Sequence, residues 1–135
     1  MDELENIRKK KMEQLIKKTG GSQMETEIEV DDNSFEKEVI ERSKQIPVVV
    51  EFWAEGCPSC VVLAPLLEKL AKEYGGKFIL AKVNVGDART KAQEYWIMSI
   101  PAVKMFKDGK VFDEFVGALP ASHIRKWLDK NLGGK

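Results

Sequence analysis

Cys57 and Cys60 are the only cysteines in the chain, and they stand two residues apart in Phe52-Trp53-Ala54-Glu55-Gly56-Cys57-Pro58-Ser59-Cys60, between an apolar strand-like run and an apolar helix-like run. Two intervening residues at the start of a helix let both sulfurs meet over one turn, so the pair can cycle between two thiols and a small-ring disulfide. A bridge closing so short a loop removes little entropy from the unfolded chain, and the spacing therefore argues for redox chemistry over stapling. The plain alternative is two small buried apolar side chains. A closed zinc site takes four ligands, and the chain offers beyond these two cysteines only one histidine, His123, far away in sequence. No metal site is expected.

The chain that must position this pair has 135 residues, 43% of them hydrophobic, enough for one domain with a proper core plus an appendage. Its 22 basic and 22 acidic residues cancel, which removes the whole-molecule field of a dedicated nucleic-acid or membrane-surface binder. Lysine and glutamate dominate the 33% charged content, a bias seen in proteins from hot environments. The first ten residues, Met1 to Lys10, lack the apolar stretch of a secretory signal, so the expected location is the cytoplasm. The longest apolar run, Val61 to Leu67, falls far short of the roughly 20 residues that span a bilayer. In a reducing cytoplasm a lone Cys-x-x-Cys reads as catalytic or metal-binding rather than as a permanent bridge.

Residues 1–21 read as a separate, charged extension. Leu4, Ile7, Met12, Leu15 and Ile16 fall on one side of a helix over 4–16, which Gly20-Gly21 ends as a hinge. The run Arg8-Lys9-Lys10-Lys11, with Lys17-Lys18, is interspersed with acids and lacks aromatics, so it reads as a solvated helix face and not as a nucleic-acid site. The domain proper spans 22–135. Met24, Thr26, Ile28 and Val30 alternate with glutamates as a half-buried edge strand, and a turn over 31–34 leads into a helix with Asn33 and Glu36 at capping-box spacing. Phe35, Val39 and Ile40 supply that helix's apolar stripe before Pro47.

Val48 to Trp53 is a nearly continuous apolar run, the mark of a strand covered on both faces. Cys60 to Tyr74 is a helix with Pro65 inside it, where the missing amide predicts a kink, and Gly75-Gly76 ends it. Phe78 to Val85 is a second buried strand and Ala88 to Tyr95 a short helix. Ala102 to Phe106 and Val111 to Val116 are strands joined by Lys107-Asp108-Gly109-Lys110, where Asp-Gly favours a tight hairpin. Ser122 to Leu132 is the last helix, placing His123 on its surface at the start. Alternation followed by a hairpin and a helix predicts an α/β fold, a mixed central β-sheet flanked by helices on both faces.

This order, with the redox pair after the first central strand and Ile100-Pro101 before the hairpin, resembles the thioredoxin family over residues 24–132. The matching stretches are Val50-Glu51-Phe52-Trp53-Ala54-Glu55, Cys57-Pro58-Ser59-Cys60, Ala64-Pro65, Lys82-Val83-Asn84-Val85, Ile100-Pro101, Phe106-Lys107-Asp108-Gly109 and Val116-Gly117-Ala118. The resemblance implies a thioredoxin fold and a thiol-disulfide oxidoreductase that reduces protein disulfides through a mixed disulfide. The Cys57-Cys60 pair is then the redox centre with no separate cofactor, and a flavoprotein thioredoxin reductase is the electron donor. The alternative is a thioredoxin-like binding module, or a narrow-substrate redox partner, tethered through the N-terminal helix.

At a helix N-terminus Cys57 gains thiolate character from unpaired amides and the dipole, which makes it the nucleophile, and Cys60, one turn further in, the more buried resolving thiol. Glu51 lies inside the apolar strand, where a carboxylate is costly without a function or partner. Either it relays a proton for Cys60, as an acid at this place does in the family, with burial raising its pKa toward neutrality, or it reaches solvent at the strand end. Lys82 on the neighbouring strand either pairs with Glu51 or is exposed. Pro101 matches the family's cis-proline beside the redox pair. Ile100, Gly117 and Ala118 complete an apolar groove in which a substrate segment pairs with the Ile100 backbone, and Trp53 packs beneath the site. Family members with broad substrate range carry tryptophan before the first cysteine and Gly-Pro between the pair. Gly56 and Pro58-Ser59 depart from that pattern, and leave the poise open between about −270 mV for reducing members and about −120 mV for strong oxidants.

Overall fold

A computed structural model describes residues 26–133. The expected helix over 4–16 with its basic run, the Gly20-Gly21 hinge, the boundary at residue 22 and the first residues of the edge strand lie outside the described residues.

Val48–Trp53 becomes β2, the central strand of a five-stranded mixed sheet in the order β1-β3-β2-β4-β5. The parallel partners are β1 (Glu27–Val30) and β3 (Ile79–Asn84), with β3 between β1 and β2. On the other side β2 pairs antiparallel with β4 (Ala102–Lys107), which pairs antiparallel with β5 (Lys110–Val116). Helices cover both faces. Side chains alternate across a strand, so Val49, Leu80, Val103 and Met105 meet Leu63, Leu67 and Leu70 of α1 (Pro58–Glu73) and Ile124 and Leu128 of α3 (Ala121–Asn131). Val48, Val50, Phe52, Ala81, Val83 and Phe106 point the other way, against Phe35 and Val39 from the helical segment ahead of β2 and against Ala88, the N-cap of α2 (Arg89–Glu94). Phe35, Tyr95 and Phe106 close that layer with ring centroids 5.4–5.8 Å apart.

The expected layered α/β architecture is the one observed, with local differences. The first helix, Glu36–Glu41, is wound as a π-helix and finishes in a 3-10 turn, Arg42–Lys44. Its entry is not organised by Asn33 and Glu36. Asp31 and Ser34 take that role instead: the Ser34 N–H donates to Asp31 Oδ1 at 2.9 Å, and the Asp31 N–H donates to Ser34 Oγ at 3.0 Å. This is a reciprocal pair three residues apart, the same economy as a capping box, set two residues earlier. The hairpin turn has Asp108 at φ 51 and Gly109 at φ 80, the doubly left-handed geometry that an Asp-Gly pair favours. Pro65 sits inside α1 and is exposed.

Candidate active site

α1 begins two residues earlier than its apolar pattern suggests. Pro58 has no N–H to leave unpaired and a φ preset for helix, so it serves as the first helical residue and makes Cys57 the N-cap. Cys57 is extended (φ −104, ψ 105), and its sulfur accepts the Cys60 N–H at 3.1 Å. The Cys57 carbonyl also accepts the N–H groups of Cys60 and Val61. A donor aimed at Sγ from the positive end of a 16-residue helix stabilises a thiolate over a thiol. The two residues are disulfide-bonded with Cα atoms 5.3 Å apart. Cys57 is half-buried and Cys60 only 3% exposed, so one sulfur is open to an incoming partner and the other is covered. Gly56, just ahead, holds φ +78, a left-handed backbone that glycine adopts without penalty.

β2 places Glu51 on the face that looks toward α1, in register with Lys82 on β3 and Val103 on β4. It is fully buried, and neither carboxylate oxygen has a hydrogen-bond partner among the described residues. Burial pushes its carboxyl up to about 7, against the pull of the Lys82 ammonium and with a further push from the Glu68 charge. Glu51, Trp53, Gly56, Cys60, Ala64 and Lys82 share the lining of a pocket of about 210 Å³. The structure thus joins Glu51 to the covered sulfur's surroundings, and the alternative of a strand-end glutamate reaching solvent does not hold. Trp53 is half-buried at this pocket, with Nε1 buried and lacking a hydrogen-bond partner among the described residues.

Lys82 follows neither expected course. It is half-buried, and its ammonium donates to Glu68 Oε2 at 2.6 Å rather than to Glu51. Burial works against the ammonium, but the Glu68 hydrogen bond and the charges of Glu68, Glu27 and Glu29 outweigh it and hold the pKa above its ordinary value. Glu68 was not singled out from sequence. The signal lay in helical spacing, since Cys60, Ala64 and Glu68 recur every fourth residue and so share one face of α1.

Two further loops end at the same pole of the sheet. The Ile100-Pro101 peptide is cis, Pro101 is buried and Ile100 half-buried. Ala102 pairs with both Phe52 and Val116, and the Gly117 N–H donates to the Pro101 carbonyl at 2.8 Å, so Gly117 and exposed Ala118 lie beside the proline. Val61, Val62, Trp96 and Met98 are large apolar side chains left 66–84% exposed, and sequence reading did not single them out. Trp96 also sits at φ 53, outside the usual range for a bulky residue. His123 is exposed at the start of α3, and among the described residues no group of three or more His, Cys, Asp or Glu is placed to hold a metal ion. No described helix is long and apolar enough to cross a membrane.

The family model described as Thioredoxin matches residues 26–130. The chain is 43% identical over 105 residues to a thioredoxin of Chlorobaculum thiosulfatiphilum, covering 78% of this chain and 95% of that one. It shares 43% identity over 105 residues with thioredoxin 2 of Chlorobaculum tepidum, covering 78% and 94%. With thioredoxin 1 of Synechococcus elongatus it shares 41% over 103 residues, covering 76% and 94%. A two-cysteine pair at a helix N-terminus, set on a five-stranded mixed sheet and matched along most of its length by these relatives, makes this chain a member of the thioredoxin family and a protein thiol-disulfide oxidoreductase.

Proposed function

We propose that the chain works in the reducing direction on protein disulfides, with Cys57 as the nucleophile and Cys60 as the resolving thiol. The observation that carries this reading is the asymmetry of the pair: Cys57 is half-exposed at the helix N-cap with an amide 3.1 Å from its sulfur, while Cys60 is covered. The Cys57 thiolate attacks one sulfur of the substrate disulfide, forming a mixed disulfide as the other substrate sulfur leaves as a thiolate and takes up a proton. Cys60 then gives its proton to the Glu51 carboxylate and attacks Cys57 Sγ. The bond to the substrate breaks, and the second substrate sulfur leaves as a thiolate and takes up a proton in turn. Two electrons have passed, the substrate is reduced and Cys57-Cys60 is the oxidised product. A flavoprotein thioredoxin reductase supplies the two electrons that regenerate the dithiol, in the cytoplasm.

Ile100, Pro101, Gly117 and Ala118 seat the extended substrate segment, with Gly56, Pro58 and Ser59 shaping the approach to Cys57 and Trp53 supporting it from beneath. The test is reduction of insulin disulfides with dithiothreitol as the ultimate reductant, comparing the intact chain with Cys57→Ser. The expected result is turnover above the uncatalysed background that disappears in the variant. Turnover by the variant equal to that of the intact chain would overturn the assignment of the nucleophile.

A further inference from the structure

We propose that Glu68 is a positioning residue that sets the working pH of the resolving step, by holding the Lys82 ammonium away from Glu51. The inference rests on the proposed role of Glu51 as proton acceptor and extends it to a residue that touches neither sulfur nor substrate. Lys82 stands between two carboxylates. One, Glu51, is its register neighbour across the β2–β3 ladder, fully buried and without a hydrogen-bond partner among the described residues. The other, Glu68, comes down from α1 with its side chain 32% exposed and takes the ammonium at 2.6 Å. A lysine has one compact charge on a flexible stem, so the carboxylate that holds it decides how much of that charge the other feels.

The charged and titratable groups facing this cluster are few. From α1 come Glu68 and Cys60, and from the loop ahead of it Glu55, which shares the pocket with Glu51. Lys82 comes from β3, while β4 presents only Val103 to Glu51. Beyond Lys82, on its outer side, lie Glu27 and Glu29 of β1 and Glu38 of the first helix. Glu68 is thus the group that competes for Lys82 at hydrogen-bonding distance. With Lys82 held there, a buried Glu51 keeps a proton to higher pH and is a base matched to a thiol; with Lys82 turned to it, Glu51 ionises early and becomes a poor proton acceptor.

The test uses the full chain, with the Glu51 carboxyl followed by carbon-13 NMR in the disulfide form, where the cysteines do not titrate, and assigned with Glu51→Gln. In Glu68→Ala the Glu51 midpoint is expected to fall by about one pH unit or more, the effect of a cation newly paired with a carboxylate. Adding Lys82→Met to that variant should bring the midpoint back to or above its value in the intact chain. The same variants are then read in single turnovers for the pH profile of release from a Cys57-linked mixed disulfide, which should shift to lower pH by the same interval in Glu68→Ala. An unmoved Glu51 midpoint in Glu68→Ala, or one that stays low in the double variant, would overturn the inference whatever the activity. A midpoint that moves while the release profile stays fixed would instead overturn Glu51 as the proton acceptor, and with it the link from Glu68 to the resolving step.

Discussion

Replacing Glu51 by leucine is expected to stabilise the protein, and by an amount that grows with pH. Burial raises the Glu51 carboxyl from 4.5 to about 7. An acid whose folded value lies above its unfolded value contributes stability that is fully present below about pH 4.5 and is lost as the pH rises through about 7, because the folded chain holds the proton more tightly. The interval corresponds to about 3 kcal/mol in total, of which about 2.5 kcal/mol falls between pH 5 and pH 8 for a single titrating group. Leucine has no proton to lose, so the unfolding free energy of Glu51→Leu minus that of the intact chain should grow by about 2.5 kcal/mol over that range. Lys82 keeps its Glu68 partner in the variant, so no ammonium is stranded. Urea unfolding of the disulfide forms at pH 5, 6, 7 and 8 measures this directly, since subtraction cancels every group the two proteins share. A difference constant to within about 0.5 kcal/mol would refute the reasoning, because it would mean that Glu51 ionises in the folded state as easily as in water.

Two further changes probe the frame around the site. Asp32 accepts the N–H groups of Lys91 at 3.0 Å and Thr90 at 3.3 Å, and so caps α2 from a distant part of the chain, where the local N-cap Ala88 offers no side-chain acceptor; Asp32→Ala should cost about 1 kcal/mol in thermal or urea unfolding, and an unchanged midpoint would show that water replaces the cap. Gly56→Ala should cost about 1–2 kcal/mol through the backbone alone, since a Cβ at φ +78 meets nothing within 4 Å, and an unchanged stability would mean that the turn relaxes out of the left-handed region.

How much of this was legible in the sequence follows the range of each interaction. The Cys57-Cys60 pair, the buried strand before it and the Asp108-Gly109 hairpin are local, and local spacing carries them. Glu51 stood out for the same reason, as a charge inside an apolar run. Its neighbourhood did not, because whether Lys82 turns to Glu51 or to Glu68 depends on how α1 settles on the sheet, a matter of packing between elements. The Asp32 cap is invisible for a similar reason, since it joins residues 58 and 59 positions apart. The misplaced helix entry has a different cause. Asn33 and Glu36 have the right spacing, but Asp31 and Ser34 have it too, and only the backbone path decides which pair closes.

The direction of β1 has a practical consequence for handling the protein. β1 runs parallel to β2, with Glu27 and Val49 both level with Leu80, while Cys57 lies past the far end of β2. Thr26 therefore enters the fold about 15 Å or more, measured along the strands, from the end that carries the disulfide. Asn131, near the other end of the described fold, is tied by its carbonyl to Lys107 at that same remote pole. A surface, resin or fusion partner joined through either side should leave the sulfur of Cys57 pointing outward, so an immobilised form ought to retain its access to bulky disulfide substrates.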